Sequence, residues 1–330
     1  MHVSNRNILV TGGAGFIGSH LVERLARRNF VRVLDNFSTG SWSNLTEVVD
    51  RDNVDVVEGD IRDQPALHRC CRGIDVVFHL AVSCLRTSLT DPQESHSVNA
   101  GGTLNVCEAA QAGGVERLVY VSSSEVYGTA RQVPMSETHP LHPTTVYGAA
   151  KLAGEHYAKA LQHTCGLAVV IVRPFNTYGP REPWRGTRAE VIPRFILQLR
   201  GGRPPVIFGD GSQTRDFIYV DDTVTGILRA AACDALVGQA VNIAAGSEVS
   251  IVHLAAMIAE RLDRDIQPLF REPRPGDVIR HHADVTKARD LLGFVANTNI
   301  QTGLARCIAW ISQAVPDEAL VTEHAGAANW

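Results

Sequence analysis

Tyr147 and Lys151, in "YGAAK", stand four residues apart where a helix-like segment opens, so both project from one helical face. A phenol ionises near pH ~10 and is a poor base at neutrality, but a nearby ammonium lowers that value and makes it a credible acceptor for a hydroxyl proton. Pairs with this spacing also decorate ordinary helix surfaces. The stretch "VYVSSSEVYG", residues 119–128, adds context, because an apolar strand there ends in Ser122, Ser123, Ser124 and Glu125. A hydroxyl at that strand end can share the proton passing between a substrate and Tyr147. The same serine run also fits plain turn chemistry.

A second constellation lies at the N-terminus. In "VTGGAGFIGSHL", residues 10–21, Gly13, Gly15 and Gly18 match G-x-G-x-x-G, and Gly12, Gly15 and Gly18 match the related G-x-x-G-x-x-G spacing. A glycine turn that opens a helix aims backbone N–H groups and the positive end of the helix dipole at one point, which suits a phosphate. The turn follows an apolar strand, and Asp35 ends the next strand about 20 residues on, as in dinucleotide-binding units. A carboxylate there accepts hydrogen bonds from both ribose hydroxyls and repels a 2′-phosphate, so NAD is expected rather than NADP. The positive nicotinamide would add to Lys151 in lowering the Tyr147 pKa. Asp60 in "EGDI" and the "HLA" at 79–81 end later strands on the same edge, where such sheets place ligands.

The elements that must position these groups read as alternating strands and helices. "NILVTGG", "VRVLDN", "VDVVEGD", "DVVFHLA", "RLVYVSS" and "AVVIVRPFN" are apolar nearly throughout, and helix-like segments such as "SHLVERLARR" and "NAGGTLNVCEAAQAGG" separate them. That pattern predicts an α/β, Rossmann-like, doubly wound parallel sheet covered on both faces. After residue 178 the texture turns to Pro, Gly and Arg, which predicts a smaller, interleaved C-terminal substrate domain. "AVNIAA", 240–245, is expected to return to the sheet. The expected division is therefore 1–178 plus about 216–246 for NAD, and 179–215 plus 247–330 for substrate. The tail from Pro316 is expected to fray.

Composition bounds the class. The chain has 330 residues, 45% hydrophobic and 20% charged, with a formal net charge of −4. That balance gives no general attraction to nucleic acid or to an anionic membrane. No apolar run reaches the ~20 residues of a membrane helix. Seven cysteines, an odd number without paired metal-type spacing, suggest reduced thiols in a cytoplasmic protein and no metal site.

Taken together, "TGGAGFIGSHL", "LDNFSTG", "GDI", "HLA", "SSSEVYG", "YGAAK", "RPFNTYGPR", "GDGSQTRDFIYVDD" and "RPGDV…AD" resemble, in order and spacing, the extended short-chain dehydrogenase/reductases that act on nucleotide sugars. The resemblance covers about residues 7–295. It implies that Gly12, Gly15, Phe16, Ile17, Asp35, Asn36, Asp60, Ile61, Leu80, Ala81 and Asn99, with Tyr147 and Lys151, contact NAD. It assigns Ser123, Tyr147 and Lys151 to catalysis, and Asn176, Arg215, Arg274 and Asp277 to the diphosphate and nucleotide of the substrate. Arginines suit a diphosphate because their fork geometry matches its oxygens. Arg181, Arg185 and Arg188 in "REPWRGTR" join that candidate set, and Trp184 is a candidate stacking group. Homodimerisation is expected through the helices around 101–113 and 147–162, which carry small and apolar residues on more than one face.

Such enzymes share an opening step in which the tyrosine takes the proton of the sugar 4-hydroxyl and C4 is oxidised to a ketone. Glu125 departs from the small or hydroxylated residue of many 4-epimerases and matches the C5 base of dehydratases. Ser124, however, stands where the frequent Asp-Glu dehydratase pair has its Asp. "YGAAKLAGE" and "RPGDV…AD" are closer to the epimerase branch. The expected activity is an NAD-dependent nucleotide-sugar 4-epimerase acting through a transient 4-keto sugar. The alternatives are a 4,6-dehydratase with Glu125 as C5 base and a UDP-glucuronate-type decarboxylase.

Overall fold

The structure, a computed structural model, describes residues 2–274 and 277–315. The tail expected to fray lies outside them. The strands are β1 (Asn7–Thr11), β2 (Phe30–Asp35), β3 (Val54–Glu58), β4 (Val76–His79), β5 (Arg117–Val121), β6 (Val169–Pro174), β7 (Asn176–Tyr178), β8 (Val206–Phe208), β9 (Thr214–Arg215), β10 (Phe217–Tyr219), β11 (Ala240–Ile243), β12 (Val249–Ser250) and β13 (Leu269–Arg271). The helices are α1 (Phe16–Leu25), α2 (Gln64–Cys70), α3 (Leu85–Thr90), α4 (Pro92–His96), α5 (Thr103–Ala112), α6 (Val146–Cys165), α7 (Val191–Arg200), α8 (Val220–Ala232), α9 (Ile251–Arg261), α10 (Thr286–Leu292) and α11 (Ile300–Ala314).

Seven parallel strands form the main sheet in the order β11-β6-β5-β4-β1-β2-β3. The apolar runs read from sequence are its inner strands, and "AVNIAA" does return to it, pairing β11 beside β6 in the register Val241 to Val172. Leu21 and Val22 of α1 and Val224 and Ile227 of α8 pack on one face; Leu67 of α2, Val106 of α5 and Ala158 of α6 pack on the other. This double cover explains why the strands are apolar rather than alternating. Ala288 and Phe294, from the stretch assigned by sequence to the smaller domain, join the first of these cores.

The Pro-, Gly- and Arg-rich stretches fold into three two-stranded sheets, β7 with β10, β9 with β12 and β8 with β13. Their apolar core, built on α7, α9 and α11, includes Phe195, Leu254 and Leu304. Strands of two or three residues carry too little periodic signal to be read from sequence. Phe16 and Ile17 of α1 pack against this second core and Ile17 also against the first, so the helix that the glycine turn opens touches both cores.

Candidate active site

A cavity of about 670 Å³ runs along the carboxyl edge of the main sheet and under the smaller sheets. Every residue that the family resemblance assigns to NAD, catalysis or substrate lines it except Asn99. Asn99 is 1% exposed in a π-helical turn, where its amide accepts from the Ser83 N–H and donates to the Ser83 carbonyl and to Ser95. Its place in the structure is to fix the loop after β4, which itself lines the cavity.

At one end, Gly12 has φ +72°, and a Cβ there would lie 2.6 Å from the backbone nitrogen of Ala81. The glycine lets the turn after β1 lie flush on the β4 end. Gly15 is the N-cap of α1 and provides no side-chain cap, leaving the first turn of the helix open to an anion. Asp35 accepts from the N–H groups of Ala14, at 2.9 Å, and Phe37, at 2.8 Å, one on each carboxyl oxygen. Burial raises its pKa, and the two backbone donors oppose that rise. Asn36 donates to Asp60, and the Arg62 guanidinium holds the Asp60 carboxyl down at about 2. The open helix end and the Asp35 carboxylate at the end of β2 together fit a dinucleotide.

The catalytic candidates converge where β5 ends. Ser123 caps the turn that follows, accepting from the Glu125 N–H at 3.2 Å, and it hydrogen-bonds the Tyr147 hydroxyl. Thr145 caps α6 by accepting from the Gly148 N–H, which fixes the first turn carrying Tyr147. Lys151, 2% exposed, donates to the Val121 carbonyl at 2.7 Å and sits 4.4 Å from the Tyr120 ring centroid. Behind it, Ser122 donates to Glu155, which is paired in turn with Arg173.

The electrostatic balance differs from the one expected from spacing. Burial raises the Tyr147 pKa well above its ordinary value, against the lowering effect of the Ser123 hydrogen bond, and the Glu125 charge adds to the rise. Burial also brings Lys151 down to about 7, so its ammonium is not the dominant influence on the phenol. Helical spacing shows which groups share a face, not how far each is desolvated. Glu125 is likewise pushed up by burial, with Arg215 opposing and Asp277 and Glu190 reinforcing.

Toward the smaller sheets, Arg215 donates to Asp277 at 2.6 Å and to the Val278 and Thr214 carbonyls. The Arg274 guanidinium lies 3.9 Å from the Phe208 ring centroid. The Asn176 Nδ2 is buried without a hydrogen-bond partner in the structure. Of the additional arginines, only Arg188 reaches the cavity wall, where it donates to the Ser38 carbonyl at 2.7 Å. Arg181 turns away to pair with Glu23 and Ser19 of α1, and Arg185 stacks on Trp184 outside the lining.

Charged lining side chains that sequence reasoning missed include Arg86, Glu182, Glu190 and Arg194. Arg86 of α3 pairs with Glu190 through two hydrogen bonds of 2.7 and 2.9 Å, joining α3 to the residue that precedes α7. Glu182, next to the arginine that attracted notice, is the residue that faces the cavity. Arg86 and Glu190 are 104 positions apart and belong to no spaced motif, so nothing in the sequence signalled the pair.

Residues 8–244 match the family model described as the NAD dependent epimerase/dehydratase family. A UDP-glucose 4-epimerase of Mycolicibacterium smegmatis is 38% identical, over 91% of this chain and 96% of its own length. Among solved structures, a UDP-N-acetylglucosamine 4-epimerase from Methanobrevibacter ruminantium, in complex with UDP-N-acetylmuramic acid, superimposes with a TM-score of 0.90 at 32% identity, covering 94% of this chain and all of that one. A UDP-glucuronic acid 4-epimerase from Bacillus cereus, in complex with UDP-glucuronic acid and NAD, gives a TM-score of 0.89 at 31% identity, with 94% and 100% covered.

Proposed function

The chain belongs to the NAD-dependent epimerase/dehydratase family and uses NAD; on that premise we propose that it is a nucleotide-sugar 4-epimerase working through a transient 4-keto sugar. The observation that carries this reading is the hydrogen bond between Ser123 and Tyr147, with Lys151 one turn further along α6, in a cavity whose other end is built from Gly12, Gly15 and Asp35. Bound NAD supplies an acceptor, and later a donor, for the hydride at sugar C4.

The remaining work falls to the chain. Tyr147 receives the 4-hydroxyl proton, and Ser123 is placed to share it and to hold the oxygen as the ketone forms. Burial raises the phenol pKa, so the resting hydroxyl must first release its own proton to solvent; positive charge brought beside it favours that phenolate, which then takes the sugar proton. Lys151, held near 7, exchanges a proton readily at neutral pH. Arg215 and Arg274 present guanidinium groups to the diphosphate, with Asp277 fixing the Arg215 fork. Gripping the diphosphate while leaving the sugar free to turn over would let the ketone offer its other face.

Glu125 supports a second reading. It lines the cavity with a raised pKa, as suits a group that moves a C5 proton in a 4,6-dehydratase. Ser124, 5% exposed beside it, lacks the acidity to protonate a departing C6 hydroxyl. Incubation with a panel of UDP- and dTDP-sugars separates the readings. A product of unchanged mass with inverted C4 supports the epimerase; loss of water points to the dehydratase, and loss of carbon dioxide to a decarboxylase.

A further inference from the structure

The amino end of α7 opens onto the cavity, where Ala189, Glu190, Val191 and Arg194 all line the wall. Glu190 is the N-cap residue but makes no side-chain cap; both its carboxyl oxygens accept from Arg86 instead. Arg194, one turn into the helix, is 7% exposed. Its Nη2 donates to the Ala189 carbonyl at 3.0 Å, and its Nη1 is buried with no hydrogen-bond partner on the protein. A guanidinium there is unfavourable in three ways: it is desolvated, it lies at the positive end of the helix dipole, and one of its donors is unmet. Burial and the charges of Arg86 and Arg274 bring its pKa down to about 10.

The neighbouring strand identifies the anion that suits this donor. Gln198 stands four residues beyond Arg194 and so on the same face of α7, and it accepts from the Val206 N–H of β8 at 3.2 Å. Phe195 and Ile207 share one apolar core, which seats that helix on the same strand. Phe208, the last residue of β8, lies under the Arg274 guanidinium, and both line the cavity. β8 thus sets Arg194 on the stretch of wall that carries Arg274, where the substrate diphosphate is assigned. A phosphate oxygen accepts from a guanidinium through a charge-assisted hydrogen bond and offsets all three unfavourable features at once.

Resting on the nucleotide-sugar reading, we propose that Arg194 is a further substrate-binding residue, whose Nη1 donates to a diphosphate oxygen of the nucleotide sugar, and that this buried guanidinium destabilises the fold until the diphosphate binds. The family resemblance assigns no role to this position.

The test compares the NAD-loaded protein with its Arg194→Met variant by calorimetric titration of uridine, UDP, dTDP, UDP-glucose and UDP-glucuronate, and by thermal melting without nucleotide. The variant is expected to bind the diphosphates about tenfold or more weakly, the scale of one hydrogen bond to a charged group. Its affinity for uridine, which lacks the diphosphate, should be unchanged, and its melting temperature should equal or exceed that of the parent. Arg194→Lys keeps the charge without the fork and should lose less affinity than Arg194→Met. Diphosphate affinities unaltered in Arg194→Met would overturn the proposal, as would a loss confined to UDP-glucuronate, which would assign the guanidinium to a sugar carboxylate. A lower melting temperature with every ligand weakened alike would show a structural role and overturn it too. Each of these outcomes leaves the nucleotide-sugar reading standing, because the parent has bound its ligand. Failure of the parent to bind UDP, dTDP and both sugar nucleotides would overturn that reading and the proposal with it.

Discussion

Glu155 and Arg173 form a two-pronged pair at 2.6 and 2.8 Å in the interior behind Lys151, with both side chains at most 2% exposed. Arg173 continues to the Tyr127 hydroxyl, which donates to Asn242 of β11 at 2.6 Å. The pair thus ties α6 to β6, and through Tyr127 reaches the returning strand β11. Removing one member leaves a buried charge uncompensated, so Glu155→Ala and Arg173→Met should each lower unfolding free energy by about 3 kcal/mol or more. Urea titration followed by circular dichroism reads this directly; a change below 1 kcal/mol would show the network to be incidental.

Tyr147→Phe keeps the ring and removes the proton acceptor. Turnover should fall by about 10²-fold or more, while nucleotide-sugar affinity, carried by the arginines, changes little. Glu125→Gln tells the branches apart. An epimerase keeps most of its activity, whereas a dehydratase loses as much as it does with Tyr147→Phe. Solvent deuterium appearing at C5 would independently reject direct 4-epimerisation.

Lys151 carries a cost to the fold, because burial opposes its charged form. Its folded value near 7 lies below the ordinary ~10.4, so the unfolded chain binds a proton that the folded chain resists over that interval. The penalty is full below pH 7 and fades as pH rises toward 10. Lys151→Met should therefore raise the melting temperature at pH 6.5 while abolishing turnover, and the gain should shrink on titration to pH 9.5. A variant less stable than the parent at pH 6.5 would contradict this.

Asp35 should govern cofactor choice. Extraction of the purified protein is expected to release NAD(H) rather than NADP(H). Asp35→Ala should weaken NAD binding by about tenfold or more, because it removes a carboxylate that also holds the Ala14 and Phe37 N–H groups. Retention of full NAD affinity in this variant, measured by fluorescence titration, would show that the ribose hydroxyls are held elsewhere.

A homodimer is expected through α5 and α6, whose Leu104 and Tyr157 remain only half-buried in a single chain. Light scattering at micromolar concentration distinguishes it from a monomer, and Tyr157→Arg should shift the balance toward the monomer.

That the glycine turn, Asp35, Ser123, Tyr147 and Lys151 would meet at one cavity was legible because each belongs to a local pattern, and the apolar runs at β1, β4, β5 and β6 were legible because a doubly covered strand has no polar alternation. What stayed hidden depends on distant partners. Arg181 carried the same residue-type signal as Arg215, yet one pairs with Glu23 on α1 and the other lines the cavity. The engagement of the Asn99 amide by Ser83 and Ser95 was likewise not readable from sequence. The Tyr147 pKa turned on desolvation, which no spacing records.

The late return of β11 has a consequence for how the chain is made. β6 comes from residues 169–174, but the strand that covers its outer edge is not synthesised until 240–243. Until then a nascent chain carries Val169–Val172, a four-residue β-branched run fully buried in the finished protein, as an open sheet edge that invites pairing with another chain. A fragment stopped near residue 178 is accordingly expected to aggregate rather than fold, although it contains the glycine turn, Asp35, Tyr147 and Lys151. Nicking the folded protein between 180 and 215 should instead leave two pieces that remain associated, held by the seam between β6 and β11.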